Sequence, residues 1–341
     1  MPRPIPPPAI PADFDAAGFA RALKAWFRRE GKDYPWRRTR DPYAILVSEL
    51  MLQQTQIATV LGRGFYARWM ALFPTPAALA DAPEETVLKA WEGLGYYQRA
   101  RNLQRAARAI AAEHAGVFPR DPAAIRALPG VGRYTAGAVA SFAFGQAEPI
   151  VDGNVARVLA RVFDFRGEVD SPAGGRFLWA AAEALVPGSG AREFNSGLME
   201  LGQTHCAAKS PKCLLCPVRA HCRAADPESL PRKKAARPAE KVDEHAALIR
   251  RAGKTLLHRE SGGRRRQGLW KLPPLPDTPA AAPDAVLKYG IMHYRVTLHI
   301  YALDAHPEIE ADPDSRWFTE AERADAPMPS PYRRALAKFG G

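Results

Sequence analysis

Cysteine is scarce in this chain, and all of it lies in one place. The 341 residues hold four cysteines, Cys206, Cys213, Cys216 and Cys222, and none elsewhere. A disulfide framework scatters its cysteines through a small secreted domain, so that class is excluded. No apolar run approaches the span of a bilayer, which leaves no membrane segment to expect. The proline-rich start, Met1 to Pro11, lacks the apolar core of a signal peptide and reads as a disordered lead-in over 1–11, with the cytoplasm as the expected compartment. Acidic residues are also in deficit, 36 Asp plus Glu against 48 Lys plus Arg, for a net charge of +12. An excess of that size draws a polyanion, with affinity that falls as salt rises, and nucleic acid is the leading candidate.

The four cysteines follow the spacing C-x6-C-x2-C-x5-C, with Pro217 after the third. Thiols clustered this way read as one ligand set. Zinc ribbons usually pair their cysteines as two short C-x2-C knuckles, whereas gaps of six and five suit a [4Fe–4S] cluster better. Such a centre implies a reducing, intracellular protein.

At this length two or three domains are expected. From Asp15 to about Cys222 apolar residues recur at helical spacing, with breaks at Gly, Pro or Asp-Pro pairs. Asp41-Pro42, Asp121-Pro122 and Ser171-Pro172 each look like a cap followed by a first turn. The stretch 224–241 is charged, proline-containing and aperiodic, as a linker is. Beyond it, short strand-like runs at 246–249, 255–257, 269–272 and 296–301 predict a mixed α+β domain over 242–341, interrupted by a Pro/Ala stretch at 273–285.

Leu128-Pro129-Gly130-Val131-Gly132 separates a helical stretch from a small-residue segment starting at Arg133. Gly130 and Gly132 allow a sharp turn close to a ligand, and the amides opening the next helix suit a phosphate oxygen without reading any base. An ordinary helix-to-helix turn has the same pattern. Glu49 is the single acid within the apolar stretch Tyr43–Leu61, expected to be helical, where Gln53 and Gln56 would share its polar stripe. An acid among Leu, Met and Val resists ionising and can donate a proton near neutral pH. Asp152, in Pro149-Ile150-Val151-Asp152-Gly153-Asn154-Val155, is a second candidate and a plausible helix cap. Cleavage of a glycosidic bond calls for one acid to protonate the leaving group and one anion to face the cationic sugar.

The glycine hairpin beside four clustered cysteines resembles the helix-hairpin-helix, iron–sulfur DNA glycosylases of the endonuclease III superfamily, over roughly Ala20 to Cys222. Within that superfamily, S-E-L-M-L-Q-Q-T-Q around Glu49, Trp91-Glu92-Gly93-Leu94-Gly95-Tyr96-Tyr97 and V-D-G-N-V-x-R-V around Asp152 are similar to the A/G-specific adenine DNA glycosylases, the MutY family. The resemblance implies an all-α glycosylase core over 12–223 with a [4Fe–4S] loop at 206–222, then a Nudix-like domain over 242–341. It implies that a monomeric enzyme flips adenine out of A:8-oxoguanine or A:G mispairs in double-stranded DNA. Glu49 would protonate adenine N7, Asp152 would stabilise the cationic sugar, Tyr134 would orient a carboxylate, and Asn154 would help position Glu49 or water. Gln54, Thr55, Leu94, Gly95 and Tyr96 would enter the duplex near the lesion, with Gly130 and Gly132 on its backbone. Bifunctional members carry a lysine two residues after the hairpin's second glycine, where this chain has Tyr134, so a monofunctional hydrolase is implied. Gly268-Leu269-Trp270 and the segment from His293 resemble the family's 8-oxoguanine-sensing domain, with His293 the matching contact, although Ile291 and Met292 stand where the family commonly has an aromatic and a hydroxyl residue. The region 273–290 has no glutamate-dense helix for magnesium, so recognition without hydrolysis is expected there. The competing readings are an endonuclease III-like pyrimidine glycosylase and lyase, and an iron–sulfur DNA-binding protein without catalysis. On the same reading Arg37, Arg99 and Arg101 are phosphate contacts or plain surface, and Tyr97 is core.

Overall fold

The computed structural model describes residues 10–235, 237–262 and 266–339; residues 1–9 of the expected lead-in lie outside them. Between Ala16 and Thr204 the described chain forms thirteen α-helices, followed by 3₁₀ turns at Cys213–Leu215, Arg219–His221 and Pro227–Ser229. The three proline pairs each open a helix with the cap engaged. Asp41 accepts from the Tyr43 N–H, Asp121 from Ala124 and Ser171 from Gly174. A first-turn proline has no N–H to leave unpaired, and each cap contributes about 1 kcal/mol.

Packing divides the chain into two compact units that do not follow its order. One comprises Met1–Gln53 with Ala109–Ala235, the other Gln54–Arg108 with Ala236–Gly341.

In the first unit, helix Pro42–Leu52 is buried from Tyr43 to Met51 and packs on helix Arg133–Phe144. Its burial on every side explains why it shows no amphipathic pattern. The expected continuous helix over 43–61 is not formed. The chain leaves helical geometry at Gln53, Gln54 takes a left-handed φ of 57°, and a second helix starts at Ile57 with Gln56 as its cap. Gln-Gln-Thr-Gln offers no apolar side chain to bury, so nothing holds a further helical turn there, and the expected Glu49–Gln53–Gln56 stripe is lost. Helix Arg133–Phe144 reaches the segment before Asp152 because Gly137 lies against it: a Cβ there would sit 2.4 Å from the Pro149 carbonyl oxygen. The stretch expected as a linker lies along this unit as far as Lys234. The Val169 N–H donates to Arg232 O at 2.9 Å, and the Lys234 N–H to Asp170 Oδ1 at 3.0 Å.

The second unit carries the sheet: β1 (Glu240–Arg251), β2 (Lys254–Arg259), β3 (Trp270–Lys271), β4 (Ala285–Ile291), β5 (Tyr294–Leu303) and β6 (Ser315–Phe318). Their order is β3-β2-β1-β5-β4, with β6 on β2. The pairing of β1 with β5 is parallel and the remaining pairs are antiparallel. Leu248, Leu257, Leu298 and Ile300 bury one face with Met328, Tyr332, Ala335 and Leu336, which lie on and just before the final helix, Ser330–Lys338. Ala247, Ile249 and Leu256 cover the other face with Ile309. Among the described residues no helix is long and apolar enough to cross a membrane.

Candidate active site

Glu49 stands in the last turn of helix Pro42–Leu52 and is only 4% exposed. Burial pushes its carboxyl up to about 7; the Asp152 charge acts in the same direction, while the Tyr134 hydrogen bond and the Arg37 charge oppose it. Tyr134 sits in the first turn of the helix after the hairpin, and its hydroxyl donates to Glu49 Oε2 at 2.7 Å, with Met199 Sδ 3.8 Å away. Beside it, Gln53 Nε2 donates to Thr135 Oγ1 at 3.4 Å.

Asp152 caps helix Gly153–Val162. One oxygen accepts from the Val155 N–H at 2.7 Å and the other from Asn154 Nδ2 at 3.0 Å. The carboxyl is half-buried and shifted upward by burial, against those hydrogen bonds. The Tyr134 hydroxyl is held well above its usual range by burial and then by the charges of both Glu49 and Asp152, so the three groups share one electrostatic neighbourhood. Asn154 Oδ1 in turn accepts from Arg157 Nη2 at 2.9 Å, and that arginine also donates to Gly202 O at 2.6 Å and Cys206 O at 2.8 Å.

The hairpin forms between helices Pro122–Ala127 and Arg133–Phe144, with Gly130 at φ 77° and Gly132 as an extended cap that has no side chain bonded to the first turn. Among the described residues no side chain caps its leading amides.

The cysteines follow helix Ala191–Thr204. Burial pushes the Cys216 thiol up to about 11, and the charges of Cys206, Cys222 and Cys213 act on it in the same sense, which puts the four thiols in one neighbourhood. Arg161, fully buried, places Nη1 3.3 Å from Cys206 Sγ, and its backbone carbonyl accepts from Cys222 Sγ at 3.5 Å. Arg161 thus sets a positive charge and a hydrogen-bond donor directly beside one of the four sulfurs. Among the described residues no three His, Cys, Asp or Glu side chains converge where a single metal ion would sit.

Gln54, Thr55, Leu94, Gly95 and Tyr96 lie in the second unit. Tyr96 is 44% exposed with φ 49°, Gly95 has φ 69°, and Leu94 is buried. Arg99 Nη2 donates to Thr55 Oγ1 at 3.2 Å and to the carbonyls of Leu94 and Gly95 at 3.1 Å each. His293 sits in the β4–β5 turn, its ring against Tyr294 and its Nε2 3.8 Å from Glu240 Oε2, next to an exposed Met292 at φ 56°.

Three arginines depart from the surface role expected of them. Arg99 and Arg101 are buried, and burial brings the Arg99 guanidinium down to about 10. Arg37 is mostly buried, donating to Glu200 Oε2 at 2.9 Å and lying over Tyr34 and Phe27. The sequence assigns no role to Arg157, Arg161 or Glu200, although Arg157 lies in the motif around Asp152. The two arginines are four residues apart on the helix that Asp152 caps, on the side away from the apolar stripe of Val155, Val158, Leu159 and Val162, a spacing that reads as an outer polar face and carries no signal of their burial. Tyr97 is core, as expected, with its hydroxyl on Met328 O at 3.3 Å.

A hairpin between two helices beside a buried acid and a capping aspartate defines a class, and residues 47–172 match the family model described as HhH-GPD superfamily base excision DNA repair protein. Among solved structures the chain is similar to a thermostable thymine-DNA glycosylase (TM-score 0.55, 33% identity, 61% of this chain and 95% of that one). It is also similar to endonuclease III trapped on DNA (TM-score 0.51, 26% identity, 63% of this chain and 96% of that one). Curated relatives narrow the class. The adenine DNA glycosylase of Rattus norvegicus is 33% identical over 408 residues, which take in 95% of this chain and 78% of that protein. The Homo sapiens protein of the same name is 46% identical over 219 residues, 62% of this chain and 40% of its own length. That of Mycobacterium tuberculosis is 46% identical over 198 residues, 58% of this chain and 64% of its own length. The chain belongs to the adenine DNA glycosylase family. It spans well under two thirds of the human relative.

Proposed function

We propose that this chain is a monomeric, monofunctional base-excision enzyme that hydrolyses the N-glycosidic bond of adenine mispaired with 8-oxoguanine or guanine in duplex DNA. The observation that carries the reading is a buried carboxyl with a raised proton affinity, held by a tyrosine hydroxyl within the field of a second carboxylate. Tyr134 anchors Glu49 Oε2, and the protonated acid delivers its proton to N7 of the flipped adenine. The C1′–N9 bond then breaks with its electron pair going to the purine. Asp152, fixed by the Val155 amide and Asn154, faces the cationic sugar while water adds to C1′ and returns a proton to Glu49. No amine stands at Tyr134 to form a Schiff base, so water is the nucleophile.

The remaining parts of the reading follow the same division. Domain 12–223 acts on the base, 224–241 connects, and 242–341 is Nudix-like and senses 8-oxoguanine, with His293 and the β4–β5 turn as its contact. Gly130 and Gly132 anchor the DNA backbone, and Gln54, Thr55, Leu94, Gly95 and Tyr96 fill the space left by the base. Cys206, Cys213, Cys216 and Cys222 would hold a [4Fe–4S] cluster, whose contribution when bound is to order the loop that carries Lys209, Lys212 and Arg219. Four neighbouring thiols backed by the Arg161 cation fit that group. The expected place of action is DNA in the nucleoid.

A labelled duplex with A opposite 8-oxoguanine tests the proposal. Strand breakage at the adenine only after alkali is the expected result. Breakage without alkali would replace it with a lyase, and an intact strand under both treatments would leave a DNA-binding protein.

A further inference from the structure

The loop Gly93–Tyr96, which the proposed function inserts into DNA, is held in backbone geometry it would not keep alone. Gly93 has φ 100°, Gly95 69° and Tyr96 49°, and Tyr96 carries a side chain that disfavours the left-handed region. From beneath, Trp91 Nε1 donates to Gly95 O at 3.0 Å, and Arg99 takes the Leu94 and Gly95 carbonyls. The residues on either side of the loop are tied to a distant part of the chain in the same compact unit. Glu92 accepts from Arg333 Nε at 2.7 Å, from Arg333 Nη2 at 3.2 Å and from the Met328 N–H at 3.3 Å. Tyr97 donates to the Met328 carbonyl at 3.3 Å. Met328 thus spends its N–H on the residue before the loop and its C=O on the residue after it. Its own side chain is wholly buried in the core that also takes Leu287 of β4 and Leu298 of β5. The Glu92–Arg333 pair is largely shielded, with side-chain exposures of 18% and 25%, and is therefore screened little by salt.

We infer that Glu92 and Tyr97 are positioning residues, through which Met328 and Arg333 of the C-terminal core set the conformation of the Gly93–Tyr96 loop. The strands that bear the β4–β5 turn and the loop that enters the duplex are then rooted in one buried methionine. The inference rests on the proposed function for what the loop does, and on the hydrogen bonds alone for what holds it. Two variants cut the ties separately. Glu92→Ala removes the acceptor of Arg333 and of the Met328 N–H, and Tyr97→Phe removes one hydroxyl while keeping the packed ring.

Amide hydrogen exchange on the full chain without DNA reads the clamp directly. At Leu94, whose N–H donates to the Trp91 carbonyl at 3.1 Å, and Arg99, whose N–H donates to the Tyr96 carbonyl at 2.9 Å, exchange is expected to speed up about tenfold in each variant and further in the double variant, with β1 and β5 amides unchanged. Unchanged exchange at both residues in the double variant overturns the inference. Single-turnover base release reads the consequence: a loss of about tenfold in the double variant on A:8-oxoguanine and on A:G alike, because the loop enters either duplex. Unchanged release on both duplexes, with loop exchange raised, would also overturn it. If the unaltered protein releases adenine from neither duplex, it is the proposed function that fails, and the exchange measurement still decides the clamp.

Discussion

Replacing Glu49 by glutamine should stabilise the protein in alkaline solution while destroying its chemistry. Folding raises the carboxyl from 4.5 to about 7, chiefly by taking it out of water. A raised acid contributes its full stability below its unfolded pKa and loses it as pH climbs through the folded one. At 1.36 kcal/mol per unit, ionising Glu49 in the folded state therefore costs about 3 kcal/mol once both forms are fully titrated, of which about 2 kcal/mol falls between pH 5.5 and 9. Glutamine is neutral throughout and can still accept from the Tyr134 hydroxyl. The stability of Glu49→Gln minus that of the unaltered chain should thus rise by about 2 kcal/mol across that interval, a midpoint shift of about 0.7–1 M in urea read at the tryptophans. Subtracting one protein from the other removes groups common to both. A difference that is the same at both pH values would mean that Glu49 ionises as freely folded as unfolded, and the proton-donor assignment would go with it. The same variant should keep its affinity for duplex DNA and release no adenine.

Tyr134→Phe removes a hydrogen bond that favours the ionised carboxyl, so the upper limb of the pH–rate profile, where base release falls as Glu49 ionises near 7, should move to higher pH; a limb that stays in place would separate Tyr134 from Glu49. Asp152→Ala loses both the anion and the helix cap, and should cost about 1 kcal/mol in urea together with all base release, whereas Asp152→Asn, which can still cap, should lose the second and keep most of the first. Arg161→Met should lower the visible charge-transfer absorbance of protein purified under reducing conditions, since the cation beside Cys206 is gone; undiminished absorbance would show that the thiols hold their cluster without it. DNA binding should weaken linearly in log–log coordinates as salt increases, for both matched and mispaired duplexes, in keeping with contacts made largely to phosphate.

Much of the candidate site is visible in the residues themselves because its chemistry is unusual where it stands. A lone glutamate in a leucine-rich helix, an aspartate before a helix-forming run and two glycines around Val131 all break their local pattern, and the two acids are brought to one neighbourhood with Tyr134, which opens the helix after the glycines. What the residues conceal is of two kinds. Arginines read as surface by default, so the inward turn of Arg101, Arg157 and Arg161 shows only once their carbonyl acceptors are assembled from elsewhere in the chain, and that of Arg99 only once the Leu94–Gly95 turn folds back on it. The end of the Glu49 helix at Leu52 is also hidden, because Gln53–Gln56 has ordinary helix propensity and leaves the helix for contacts with distant residues, Gln53 with Thr135 and Thr55 with Arg99. The strands followed composition where they were β-branched or leucine-rich. β4, with Lys288 and Gly290 in its seven residues, and β6, at four residues, carry too little pattern to stand out.

The helices between Gln54 and Arg108 belong with a sheet that begins only at Glu240, more than a hundred residues further along the chain. During synthesis those helices leave the ribosome well before the groups that tie them down exist, and at about 5–20 residues per second they wait on the order of ten seconds for them. Glu85, Glu92 and Tyr97 meet Trp270, Arg333 and Met328 only then, so the ties around the Gly93–Tyr96 loop are among the last to form.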